Sequence, residues 1–141
     1  MRLKYLFIGL TLVLLRCKKS QEEPQEKQAL IMAERSEMAL LMNEMYAFNE
    51  SIKQQIIDGA LSATYPEKFD NIHSAVLTND SHRDLRFESF SKLFLEAQKQ
   101  IFEAPQEELI TRYNNAINAC ISCHSVKCVG PIPRIKKLLI E

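Results

Sequence analysis

Apolar residues recur at alternating steps of three and four along most of the chain, and no stretch alternates residue by residue, so the sequence reads as helices without strands. A first segment runs from the polar stretch 20–28 to about Gly59. In it Ile31, Met38, Met42, Met45, Asn49, Ile52 and Ile56 share a face, and Gly59 is the expected stop. Pro66 opens a second, shorter segment on which Phe69, Ile72, Val76 and Leu77 fall together, and residues 78–83 (TNDSHR) form a capping-rich connection. The third segment runs from about Asp84 to Ala104 with Phe87, Phe90, Phe94, Ala97 and Ile101 in line, and Pro105 breaks it. The fourth starts near residue 106 and aligns Leu109, Tyr113, Ala116, Ile117, Cys120 and His124 before Gly130, Pro131 and Pro133 end it. Four amphipathic helices with short connections predict an all-α fold, an antiparallel four-helix bundle.

The N-terminus stands outside this pattern. Arg2 and Lys4 precede an uncharged apolar run over residues 5–15. A bilayer span needs about 20 such residues, so residues 1–16 are expected to be a secretory signal peptide. Cys17 follows at once and resembles the lipidated cysteine of bacterial lipoproteins, although Arg16 stands where that pattern has a small residue. Ordinary cleavage leaving Cys17 unmodified is the alternative. On this reading residues 17–28 form a polar tether to a membrane and residues 29–141 form the working domain, periplasmic or elsewhere in the cell envelope. Loss of Arg2, Lys4 and Arg16 then leaves a net charge of −3. The full chain balances 18 basic against 18 acidic residues, which gives no basic excess for nucleic acid.

Three of the four cysteines lie within nine residues, and Cys120-Ile121-Ser122-Cys123-His124 is C-x-x-C-H, the attachment signature of a c-type haem. Thiols three residues apart on a helix stand about one turn from each other and can add to the two vinyl groups of one porphyrin. The adjacent His124 then offers its imidazole as the proximal iron ligand. Rival uses are a thioredoxin-like redox pair, which opens a helix after a strand, and a zinc site of Cys120, Cys123, His124 and Cys128, whose four ligands converge poorly from one helix. An internal disulfide is strained at this spacing. Cys128 falls two turns beyond Cys120 on the same side and is expected to be a buried thiol.

A C-x-x-C-H motif in the last helix of a bundle resembles the class II c-type cytochromes, the cytochrome c prime family, over about residues 27–129. The resemblance implies one covalent haem c held by Cys120 and Cys123, with His124 on iron, a redox partner protein and a homodimer through helices 1 and 2. The tail after His124 departs from that family's short ending. Counting back along antiparallel helices places Met42 across from His124, with Met38 and Met45 one turn away. A Met ligand suits single-electron transfer, whereas an open sixth position suits binding of small gases such as NO or CO. A Met stripe is also ordinary core filling. No Ser-His-Asp order, phosphate-binding Gly loop or apolar carboxylate pair supports an enzyme. Arg35 could meet a haem propionate. Arg134, Lys136 and Lys137 are expected on a solvated basic face, His73 at a helix boundary, and His82 in solvent.

Overall fold

The computed structural model describes residues 34–141, and the signal segment, Cys17 and the tether lie outside the described residues. The described chain is all-helical. Three long helices, α1 (Glu37–Ile57), α2 (Leu85–Glu103) and α3 (Leu109–Lys127), are followed by one short turn of helix, α4 (Ile132–Ile135). Short 3-10 helices span Glu67–His73, Asp80–His82, Gln106–Glu108 and Lys136–Leu138. Among the described residues no helix is long and apolar enough to cross a membrane.

Local chemistry sets the helix ends. Ser36 Oγ accepts from the Ala39 N–H at 3.2 Å and caps α1, and Asp84 Oδ1 accepts from the Phe87 N–H at 2.9 Å and caps α2. At the far end of α1, Gly59 takes φ +67°, and the Ala60 N–H returns to the Gln55 carbonyl at 2.9 Å. A left-handed residue of this kind closes a helix at little steric cost only when it is glycine. Pro105 then turns the chain between α2 and α3, which pack side by side as a helical hairpin.

The expected second α-helix is instead the seven-residue 3-10 helix Glu67–His73. Burial matches the difference: Phe69 and Ile72 within it and Ala75 just beyond it recur at steps of three, the 3-10 repeat, while Val76 is 56% exposed. The Arg83 guanidinium donates to the His73 carbonyl and, at 2.6 Å, to the Ala75 carbonyl, and it lies over the Phe87 ring. These bonds satisfy the carbonyls that a longer helix would have used. Beyond that point the chain runs along the start of α1, where the Met38 N–H donates to the Val76 carbonyl at 3.0 Å and Glu37 accepts from the Val76 N–H at 2.9 Å.

Two apolar clusters form the core. One gathers Met38, Leu41 and Met45 of α1 with Phe69, Ile72, Phe87, Phe94, Leu95 and Ala119. The other gathers Ile52, Ile56, Ile101, Leu109, Tyr113, Ala116 and Ile117 with Ile135 and Leu138 from the C-terminal segment. Asn49, Gln98 and Tyr113, all essentially unexposed, join the three long helices by polar contacts. Gln98 Nε2 donates to Asn49 Oδ1 at 3.1 Å, and the Tyr113 hydroxyl donates to the Asn49 carbonyl at 3.0 Å. Gln98 Oε1 is buried with no partner among the described residues.

The tail is part of the fold. Lys53 Nζ donates to the carbonyls of Lys137 (2.9 Å) and Leu139 (2.8 Å), and the Asn114 amide makes two bonds to the Ile140 backbone, at 2.8 and 3.0 Å. One side chain from α1 and one from α3 therefore hold the same C-terminal segment, and Ile135 and Leu138 fill the apolar space beneath it.

Candidate functional site

The motif, residues 120–124, lies within the last eight residues of α3. Tyr113, Ala116 and Ile117 are fully buried and seat the helix, and the stripe they define continues through Cys120 to His124, both half-buried. Cys120 packs against both apolar clusters. Although the residue as a whole is only partly covered, enclosure of its thiol pushes it up to about 12, and the neighbouring Cys123 thiol adds to the shift. Burial likewise raises Cys123, against a smaller opposing effect of Lys127. Both sulfurs are free rather than disulfide-bonded, and at neutral pH both are thiols.

The end of α3 is pinned on two sides. Lys127 Nζ lies 2.6 Å from Asp84 Oδ1, joining the last turn of α3 to the cap of α2. The hydrogen bond from Lys127, followed by the Phe87 N–H, holds the Asp84 carboxyl below its usual range. On the other side, His124 Nδ1 lies 2.9 Å from the Cys128 carbonyl oxygen, and the Cys128 N–H donates to the His124 carbonyl at 3.1 Å. A carbonyl only accepts, so Nδ1 carries a proton, and of the two neutral tautomers this bond selects the one with its lone pair on Nε2. Metal-ligating histidines are commonly oriented by such a bond from their other nitrogen.

Cys128 corrects an expectation. It is exposed, not buried, because α3 ends at Lys127 and Cys128 takes φ −158°, ψ 88°, ahead of Gly130 and Pro131. It therefore leaves the stripe of Cys120. Among the described residues no three His, Cys, Asp or Glu side chains converge as a metal site, which removes geometric support from the four-ligand zinc alternative. A c-type haem asks less of the chain: two unpaired thiols a turn apart and one imidazole with a defined free nitrogen. The donor set has that chemistry.

Of the three methionines, Met38 and Met45 are buried within the first cluster, and Met42 is half-buried against it, as is Cys120. Those α1 side chains and the Cys120 thiol thus border one apolar mass. Two cavities, of about 440 and 270 Å³, lie elsewhere. The larger is lined by His73, Leu95, Lys99 and Glu103, among others, and the smaller by Gly59, Phe102 and Leu109, among others.

Arg35 is exposed, as are Lys136 and Lys137. Arg134 is exposed too, but its guanidinium stacks 3.7 Å from the Tyr46 ring centroid and donates to Asn43 Oδ1 at 3.1 Å. His73 is half-buried, with Nδ1 3.3 Å from Ser91 Oγ and 3.6 Å from Glu88 Oε2, and His82 is exposed. The Cys128 carbonyl and the docked Arg134 were not legible in the sequence. A backbone oxygen has no letter, and the only signal was the Gly-Pro pair that ends the helix. No known protein family, curated protein or solved structure matches the chain.

Proposed function

We propose that this protein is an exported monohaem c-type cytochrome that carries single electrons, anchored to the membrane through Cys17 and working in the cell envelope with a redox partner protein. Cys120 and Cys123 hold the haem, His124 is the proximal ligand, and Met42 is the favoured distal one, with Met38 and Met45 as its neighbours. The bound group supplies reversible one-electron exchange at iron. The chain contributes an apolar bed from α1 and α3, an enclosed Cys120 thiol with a half-buried Cys123 beside it, and an oriented imidazole. The observation that carries this reading is the C-x-x-C-H sequence on α3 with its histidine tied through Nδ1 to the Cys128 carbonyl at 2.9 Å. Relationship to the cytochrome c prime family is part of the proposal, and its four-helix bundle would here have the Glu67–His73 3-10 helix in second place.

The test is the visible spectrum of the full chain made with the cytochrome c maturation machinery. We expect covalently retained haem that is lost when Cys120 and Cys123 are both replaced by Ser. We also expect a low-spin form with a Met-to-iron charge-transfer band that Met42→Ala abolishes. A high-spin ferrous form that takes up carbon monoxide would replace the electron-carrier role with gas binding. A colourless protein with both thiols open to alkylation would refute the haem assignment.

A further inference from the structure

We infer that the segment after α3 is a positioning device for His124, in which Arg134, docked on α1, holds the Cys128 carbonyl against Nδ1. This inference rests on the haem reading above. The chain between the two points has little slack. The Cys128 N–H is bonded to the His124 carbonyl at 3.1 Å, the Ile132 N–H to the Val129 carbonyl at 3.1 Å, and the N–H groups of Arg134 and Ile135 to the Pro131 carbonyl at 3.0 Å each. Pro131 and Pro133 fix their own φ angles. One end of this short run is the oxygen on His124. The other is Arg134, stacked on Tyr46 and bonded to Asn43, with the buried Ile135 beside it.

The arrangement answers a specific problem. His124 is half-buried and lies in the last turn of its helix, where an untethered imidazole would rotate and exchange tautomers with water. Donation from Nδ1 fixes the ring plane and selects Nε2 as the free nitrogen. A hydrogen bond to the far nitrogen of a metal-ligating imidazole strengthens its donation to the metal, which with haem bound would favour ferric over ferrous iron and lower the reduction potential. Arg134 touches neither the imidazole nor the haem-bearing thiols in this scheme. It acts through the carbonyl, so α1 governs the iron ligand of α3 from a distance of six residues along the tail.

Two readouts test it, both on the full chain. In protein labelled with nitrogen-15 in histidine and made without haem attachment, long-range proton–nitrogen correlation reports the tautomer of each ring. We expect His124 as the Nδ1–H form, shifting toward Nε2–H in Arg134→Ala and in Asn43→Ala, with Arg134→Lys in between because it keeps a cation over Tyr46. In the haem-loaded chain the same substitutions should raise the midpoint potential, by about 59 mV for each tenfold loss of ferric preference. A wild-type His124 found as Nε2–H overturns the inference whatever the variants do. So does an unchanged tautomer and potential in both alanine variants. Far-UV circular dichroism verifies folding, and should Arg134→Ala unfold, Asn43→Ala decides. A chain that retains no haem refutes the proposed function, and the tautomer measurement still decides the role of the strap.

Discussion

Leu138 sits three residues from the chain end, yet it is 3% exposed and shares a cluster with Ile52, Ile56 and Ile117. Leu138→Ala therefore tests whether the tail belongs to the core. Removing a buried leucine side chain costs about 2–5 kcal/mol, the value depending on how far the surroundings collapse into the space. Here Leu138 lies in a three-residue 3-10 turn held by two bonds from Lys53 and two from Asn114 rather than in a long helix, so its backbone can shift inward. That argues for the lower half, roughly 2–3 kcal/mol. For a domain near 100 residues each kcal/mol moves the thermal midpoint by about 4–8 °C, which makes a drop on the order of 10 °C or more. Urea titration of the full chain, followed by far-UV circular dichroism, should show the midpoint falling with its slope unchanged. The exposed neighbour Lys136→Ala is the control and should stay within about 0.5 kcal/mol of wild type. A Leu138→Ala chain indistinguishable from that control would refute the packing argument and remove the anchor from the strap.

Two further outcomes follow from burial and charge. Iodoacetamide at pH 8 should modify Cys128 before Cys123 and leave Cys120 to last in protein without haem, since a thiol pushed up to about 12 presents ~1 thiolate in 10,000 at that pH. Peptide mass mapping reads the order, and early labelling of Cys120 would contradict the packing of α3. Asp84 and Asp70 are both held below the usual carboxylate range, chiefly by hydrogen bonds from Lys127 and Lys99 respectively. Their contribution is complete above the unfolded value of about 3.9 and is lost as pH falls through the lower folded value. The thermal midpoint should thus drop from pH 5 to pH 2, with a shallower drop in Asp84→Asn, and an equal acid slope in both chains would refute this assignment.

Sequence periodicity was a good guide wherever a helix had room for several turns. The buried stripe of α3 runs through Leu109, Tyr113, Ala116 and Ile117 as expected, and Gly59 ends the first helical segment. It failed where spacing was ambiguous: Phe69 and Ile72 are three apart, which fits either helix type over so short a stretch, and burial of Ala75 instead of Val76 decides for the tighter one. On α2 the aromatic stripe was legible, but buried Ser91, Leu95 and Gln98 were not, because polar residues count against a core face until their partners are known. Cys128 was misplaced by carrying the helix up to Gly130, past its end at Lys127. The tail looked like a solvated basic run since Arg134, Lys136 and Lys137 dominate its letters, while its burial is carried by Ile135 and Leu138 and its attachment by Lys53 and Asn114.

The polar junction of Asn49, Gln98 and Tyr113 also settles alignment. Slide α1 by one turn, about 5.4 Å, and some apolar places are refilled in kind, Ile56 taking that of Ile52 and Met45 that of Leu41. The Asn49 amide has no such substitute: Gln98 Nε2 would lose its side-chain acceptor in a dry interior, at about 1–3 kcal/mol, while the Tyr113 hydroxyl would meet another backbone carbonyl of α1. The junction thus works as an index pin between greasy surfaces that are otherwise partly interchangeable. The height of the methionine stripe of α1 against Cys120 is set there as well, by the Asn49–Gln98 pair.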